Sequence, residues 1–403
     1  MKKIAFVLSH MNVGGVEKAL LSLVSEISTK DYEITIFLGE KKGEFLNFIP
    51  NNIIIKEFPF CEYAKNYPTL GFKGVLNKLI KKFRLLRALH LILGIIGCNI
   101  FQNDIILKKF LFGNNKIQES YDIVVNYAGP VHSNSILAES ILISKMKLIW
   151  IHTEFEKSGK RPKKYLKRYS RYNRIIGVSE KCVNEFKVII PELASRTRLI
   201  YNIISKRLIN EMKSKGSGFE DKYKGLRILT VGRLSNEKGY DIAINVLEML
   251  IKKGYDVKWY VVGGGKEYYK LKKICEEKNL EKSFIFLGSK PNPYPYFNQC
   301  DIYVQPSRYE GYSTTLSEAK VFNKPIVTTR VSGAEEQIIN GQTGIIVDID
   351  EIEIMKAVEK LINSKSLRQR LIHNLSLGNY DTTQEVYKFY REIDDYFQKL
   401  NEE

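Results

Sequence analysis

Asp301-Ile302-Tyr303-Val304-Gln305-Pro306 runs directly into Ser307-Arg308-Tyr309-Glu310-Gly311-Tyr312-Ser313-Thr314-Thr315-Leu316-Ser317-Glu318. The first six residues are a short β-branched and aromatic run, the signature of a buried strand. A turn rich in Gly, Ser and Thr follows, and then an apolar helix. Strand, turn and helix in that order form half of a parallel βαβ unit. In open α/β sheets, ligands bind where strands end and helices begin. A helix N-terminus there offers free N–H groups and a positive dipole end to an anion. Glu310 and Glu318 are separated by seven residues. Glu310 lies in the turn, at the mouth of such a site. Glu318, about two helical turns further on, is placed to accept hydrogen bonds from neutral hydroxyls.

The same alternation extends in both directions. Upstream, strands are predicted at Lys3–Ser9, Glu33–Leu38, Ile53–Ile55, Asp122–Tyr127, Lys147–Ile151, Arg174–Val178 and Arg198–Tyr201, with a helix at Val16–Ile27. The pattern then restarts, with strands at Arg227–Val231, Val257–Val262, Phe284–Leu287, Ile302–Gln305, Ile326–Thr329 and Ile345–Val347. Helices are predicted at Asp241–Lys252, Lys266–Asn279, Ser313–Val321 and Glu351–Ser364. Alternating strands and helices imply parallel sheets covered on both faces. The polar stretch Ile203–Gly218 separates the two runs, giving an N-terminal domain over 1–205 and a C-terminal domain over 206–380. Residues 381–403 read as a final helix whose Val386, Phe389, Tyr390, Ile393 and Phe397 need a packing surface.

The chain has 403 residues, enough for two domains with their own cores, and is 44% hydrophobic. Cys61, Cys98, Cys182, Cys275 and Cys300 are scattered, odd in number and without a C-x-x-C pair. That argues against a disulfide framework or a zinc site and fits a reducing, cytoplasmic setting. The apolar run after Met1 is too short for a signal peptide. A net charge of +18 speaks to partners rather than fold. It is concentrated in two segments: 73–109, with eight Lys/Arg and one acid, and 157–174, with nine Lys/Arg and no acid.

Four other places could carry chemistry. Gly14-Gly15 follows the first strand and lets the backbone approach a ligand, or forms a plain turn; it is not a G-x-G-x-x-G fingerprint. Arg233 and Lys238 share the short loop after Arg227–Val231. They are either a clamp for a diphosphate or two solvated surface cations. Gly263-Gly264-Gly265 closes another strand. Asp348-Ile349-Asp350 resembles a metal-binding pair but is better placed as a helix cap. No other cluster has metal-ligand spacing, so no metal and no resident cofactor are expected. Of the histidines, His152 ends a strand and is placed to face a ligand, although a structural role fits it equally.

Together these residues resemble the retaining GT-B glycosyltransferases of family 4. The resemblance is strongest from Arg227 to Asp348, where Gly232-Arg233, Lys238-Gly239, the glycine run at 263–265, Phe286-Leu287-Gly288, the Glu310…Glu318 pair and Gly341-Gln342-Thr343-Gly344 fall in order. It implies two Rossmann-like doubly wound domains facing across a cleft, with the C-terminal helix crossing back to the first domain. It also implies a metal-independent transfer with retention, from a nucleotide sugar to a glycan or polyprenyl-diphosphate-linked acceptor. Arg233 and Lys238 would hold the donor diphosphate and Glu318 the ribose. Glu310 would meet the donor sugar, and Gly15, Gly311, Tyr312, Ser313, Thr314 and Thr315 would line the phosphates and sugar. One departure stands out. Where family members carry a strand-end His, this chain has Asn126-Tyr127. Either that role is absent or His152 supplies the imidazole.

The expected enzyme therefore moves a hexose or N-acetylhexosamine, with UDP as the expected carrier, into a bacterial capsule, O-antigen or other surface glycan. The expected setting is the cytoplasm, at the inner face of the membrane. An epimerase or phosphorylase-like reading uses the same fold. A basic nucleic-acid-binding protein is the non-enzymatic alternative, but no recognition helix, zinc finger or aromatic RNA-binding motif supports it. The two basic segments, 73–109 and 157–174, are candidates for contact with an anionic membrane. Leu85–Ile96 reads equally as an interfacial helix and as a buried one.

Overall fold

The computed structural model describes residues 1–101, 103–115, 117–152 and 166–402. The chain divides into two compact units. The first comprises 1–12, 16–201 and 385–403; the second comprises 13–15 and 202–384.

The first unit is built on a seven-stranded sheet. Its strands are β1 (Lys2–Leu8), β2 (Tyr32–Leu38), β3 (Ile54–Glu57), β4 (Ser120–Asn126), β5 (Ile143–Ile151), β6 (Arg174–Gly177) and β7 (Thr197–Leu199). They lie in the order β3-β2-β1-β4-β5-β6-β7, all parallel. The second unit carries β8 (Leu226–Val231), β9 (Val257–Val262), β10 (Phe284–Phe286), β11 (Ile302–Gln305), β12 (Ile326–Thr329) and β13 (Ile345–Val347). Their order is β10-β9-β8-β11-β12-β13, again all parallel. Counted from its own first strand, each sheet contains the order 3-2-1-4-5-6, the doubly wound Rossmann arrangement, to which the first adds a seventh strand at its edge. Both faces are covered, so the central strands are continuous apolar runs. Ile4 to Leu8 are all buried, as are Ile302 to Gln305.

The direction of winding reverses between β1 and β4 in the first sheet and between β8 and β11 in the second. The crevice beyond the strand ends at such a switch point is the default ligand position of this fold. Glu310 follows β11, and Arg233 and Lys238 follow β8, so the second switch point carries the candidate residues on both sides.

Three features differ from what the sequence suggests. The polar stretch 203–218 is not a bare linker. It contains the helix Lys206–Lys213, capped by Ser205 and anchored by buried Ile209 and Met212. Eight residues with two apolar anchors are too short to show a helical period. Between β3 and β4 the first unit inserts three helices, Tyr67–Lys81, Leu85–Ile100 and Ile105–Phe112. The helix Leu85–Ile100 is neither buried nor solvated in the ordinary way. Third, part of the second basic segment is used internally. Arg171 donates to both Asp104 and Glu139, at 2.7 and 2.6 Å, and Arg174 donates to Glu392 at 2.6 Å. Residues 157–165 of that segment lie outside the described residues.

The C-terminal helix Glu385–Glu402 belongs to the first unit. Phe389 is fully buried between Phe6 and Trp150, and Tyr390 stacks on Tyr32 at 5.3 Å. Glu392 takes hydrogen bonds from Arg174 and Arg198.

Candidate active site

The loop after β8 is shaped by glycine. Gly239 has φ +67°, and a Cβ there would stand 1.9 Å from the Pro306 carbonyl oxygen. No other residue type allows the β8 and β11 loops to approach so closely. The glycine run plays a matching part. A Cβ on Gly263 would meet the Gly232 carbonyl oxygen at 1.8 Å, and Leu234 N–H donates to the Gly264 carbonyl. Arg308 then ties the loops together, with a bidentate pair to Asp241 at 2.8 and 2.7 Å and a third bond to the Asn236 carbonyl.

This packing brings Lys238 to Glu310. The ammonium donates to both carboxylate oxygens, at 2.6 and 2.8 Å. Ser307 Oγ donates to Glu310 Oε1 at 2.7 Å, and Gln305 Nε2 to the same oxygen at 3.2 Å. The carboxylate is thus a fixed acceptor with its side chain only 11% exposed. Gln305 is itself clamped. Its Oε1 accepts from Ser313 Oγ, Thr315 Oγ1 and Tyr303 OH, at 2.9, 3.0 and 3.2 Å. Only the amide nitrogen can face a carboxylate, which fixes the orientation of the whole network.

Ser313 caps the helix Thr314–Val321, its hydroxyl accepting from Leu316 N–H. Gln337 braces the cap, accepting from Ser313 N–H and donating to Ser313 O and Ser317 Oγ. Gly311, Tyr312, Thr314 and Thr315 are half-buried around this helix start. One turn in, Glu318 is buried and accepts from Tyr294 OH at 3.1 Å. Burial and the Glu318 charge push the Tyr294 phenol well above its ordinary pKa, so it stays a donor. Arg233 is exposed on the β8 loop.

The residues named from the sequence in the second unit therefore gather on the β8 and β11 ends and the adjoining helix. Sequence reading missed Gln305, Ser307, Arg308 and Gln337. Gln305 carried one signal, a lone amide in an otherwise apolar buried strand. Asp350 caps the helix Glu351–Asn363, accepting from Ile352 and Glu353 N–H. Among the described residues, no group of three or more His, Cys, Asp or Glu could hold a metal ion.

Gly15 opens the helix Gly15–Glu26, whose other residues belong to the first unit. At the end of β4, buried Asn126 donates to Ser135 Oγ and Tyr172 OH, turning into the network around Glu139. Tyr127 packs between Phe6, Trp150 and His152. His152 pairs its Nε2 with the Tyr127 carbonyl at 2.8 Å. Burial lowers the imidazole pKa to about 4, so at neutral pH the ring is uncharged. Its Nε2 carries the proton given to that carbonyl, leaving Nδ1 as an acceptor.

Comparison with known proteins agrees with this geometry. Residues 214–376 match the family described as Glycosyl transferases group 1. The chain is 29% identical over 219 residues to the Staphylococcus aureus capsular polysaccharide biosynthesis glycosyltransferase CapM, a match covering 50% of this chain and 55% of that protein. It is 25% identical over 377 residues, 92% of each chain, to the Campylobacter jejuni N-acetylgalactosamine-N,N'-diacetylbacillosaminyl-diphospho-undecaprenol 4-alpha-N-acetylgalactosaminyltransferase. Among solved structures, Anabaena HepE in complex with UDP-glucose superposes with a TM-score of 0.71 at 15% identity, over 98% of this chain and all of that one. Residues 214–376 thus match the glycosyl transferases group 1 family, and the fold is that of solved GT-B glycosyltransferases.

Proposed function

We propose that the chain transfers a hexose or N-acetylhexosamine from a UDP-linked sugar, with retention, to a lipid-linked glycan in surface polysaccharide assembly. The observation that carries this reading is the cation–carboxylate pair at the second switch point. Lys238 and Glu310 stand on the two loops where a diphosphate sugar would lie in this fold. Arg233 and Lys238 supply positive charge for the departing diphosphate, and N–H groups at the start of Thr314–Val321 add to it. Glu310, held in place by three donors, faces the sugar and stabilises positive charge developing at its reacting carbon. Glu318 receives the ribose hydroxyls. Retention follows if the acceptor attacks from the face the diphosphate leaves, with a diphosphate oxygen taking the acceptor proton. In the first unit, the neutral His152 offers Nδ1 as a hydrogen-bond acceptor.

The donor and acceptor classes draw support from the names of similar proteins. One was solved with UDP-glucose, and another is named for a diphospho-undecaprenol substrate. The first unit also holds a cavity of about 400 Å³ bordered by Ser9, Tyr67, Phe72, Ile95 and Ser133, apolar enough to receive part of a lipid-linked glycan.

Thermal unfolding against UDP, other nucleotides and a panel of nucleotide sugars tests the donor site. A ligand that binds only the folded state raises the midpoint. The expected result is a rise with UDP and with one UDP-sugar, lost in Glu318→Ala. No rise with any nucleotide at millimolar concentration removes the reading.

A further inference from the structure

The helix Leu85–Ile100 packs inside out. Its buried positions are Ala88, Leu91, Gly94, Gly97 and Cys98, mostly small. Its exposed positions include Leu85, Leu86, Leu89, Leu93, Ile96 and Ile100, all large and apolar. A water-facing helix does the reverse. The small inner face has a structural cause. It lets the helix Ile105–Phe112 come so close that a Cβ on Gly94 would stand 3.0 Å from Leu107 Cα. The outer stripe has none within the unit. Residues 85, 89, 93, 96 and 100 lie at helical spacing on one face.

The turn before this helix extends the pattern. Phe83 is 88% exposed at φ +53°, a backbone conformation that bulky residues rarely hold. Twelve of the twenty-six large apolar side chains exposed among the described residues fall between 70 and 106. Cations border them. Lys73, Lys78, Lys81, Lys82, Arg84 and Lys109 are exposed, and among the described residues none has a carboxylate partner. The one acid between 67 and 112, Asp104, is buried and paired with Arg171.

An apolar stripe with a cationic border complements a surface that is anionic outside and hydrocarbon beneath. We propose that the helices Tyr67–Lys81 and Leu85–Ile100 dock the first unit on an anionic phospholipid bilayer. Phe83, Leu86 and the stripe enter the acyl boundary, and the lysines lie among the headgroup phosphates. A second copy of the chain fits less well, because a two-fold contact sets the same cationic border against itself. No helix of the described residues is long and apolar enough to cross a membrane, so this one lies in the plane of the interface. The inference stands apart from the donor site, since vesicle binding needs no nucleotide.

The test is sedimentation of the full chain with vesicles of phosphatidylglycerol and phosphatidylcholine, and of phosphatidylcholine alone. Wild type is expected to bind the anionic vesicles and to be released by salt. Each lysine or arginine removed weakens binding roughly fivefold, so Lys81→Ala, Lys82→Ala and Arg84→Ala together lose about a hundredfold. The pair Phe83→Glu, Leu86→Glu abolishes binding, while an unchanged circular dichroism spectrum and an unchanged thermal unfolding profile without ligand show that the protein is folded. Three results overturn the proposal: no binding to anionic vesicles, equal binding to both vesicle types at every salt concentration, or a wild-type dimer that ignores vesicles and becomes monomeric in the Phe83→Glu, Leu86→Glu pair.

Discussion

A carboxylate can stabilise a transition state only if its charge and direction are fixed beforehand. At Glu310 that task is divided among Lys238, Ser307 and Gln305. Lys238 also faces the place proposed for the diphosphate, so its hold on Glu310 competes with ligand. Gln305 has no such conflict. It is buried, its oxygen is held by three hydroxyls, and its amide nitrogen points at Glu310. It is a positioning residue, and its replacement should separate kcat from KM. Gln305→Leu should lower kcat by roughly tenfold to a hundredfold, the range expected for an indirect loss of orientation, with the KM for donor nearly unchanged. Gln305→Glu should be worse, because it sets a second carboxylate against the first. Glu310→Gln should cost about a hundredfold or more by direct loss of charge. If Gln305→Leu raises KM and leaves kcat intact, the amide serves donor binding and not Glu310.

Between residue and fold lies the loop, and here close approach can be separated from backbone conformation. Gly239 and Gly254 both have left-handed backbones, with φ +67° and +87°. Only Gly239 lies against another chain segment; a Cβ on Gly254 would meet nothing within 4 Å. Gly254→Ala should therefore cost only the left-handed penalty, about 1 kcal/mol. Gly239→Ala must also push the Pro306 loop away and should cost roughly 3 kcal/mol or more, with loss of the UDP-dependent thermal shift. Urea unfolding of the two variants measures the difference, and equal costs would mean the loops do not touch. The example also shows what the sequence could reveal. Strands of Val, Ile and aromatics were legible because burial on both faces demands continuous apolar runs, and all thirteen lie where such runs predicted them, within a few residues at their ends. The cations and carboxylates of the candidate site could be singled out because they follow strand ends, where ligands of open α/β sheets bind. Gln305, Arg308 and Gln337 were not, because a polar side chain's partner is set by folding and not by spacing. Leu85–Ile100 stayed ambiguous for a related reason. Its composition is that of a buried helix, and only packing reveals that the large residues face outward.

At the scale of the whole chain, sequence order and folding unit part company. The last helix, Glu385–Glu402, follows the second unit in sequence but completes the first in space. The hand-over is stitched by hydrogen bonds from Ile204 N–H to Thr382 Oγ1, Lys206 N–H to Asp381 Oδ2 and Tyr201 N–H to Glu385 Oε2. Removal of residues 385–403 should then damage the distant half and spare the adjacent one. It strips Val386, Phe389 and Ile393 from the core, worth on the order of 6 kcal/mol at about 2 kcal/mol for each fully buried side chain. It also leaves Arg174 and Arg198 without Glu392. That loss is comparable to the whole stability of an ordinary domain. Hydrogen exchange on the truncated chain should show protection lost across β1 to β7 and kept across β8 to β13. A milder variant, Phe389→Ala, should lower the stability of the first unit by about 3–5 kcal/mol and leave the second unchanged. Equal loss of protection in both sheets would mean that the two units unfold as one, and that the helix stabilises the chain as a whole.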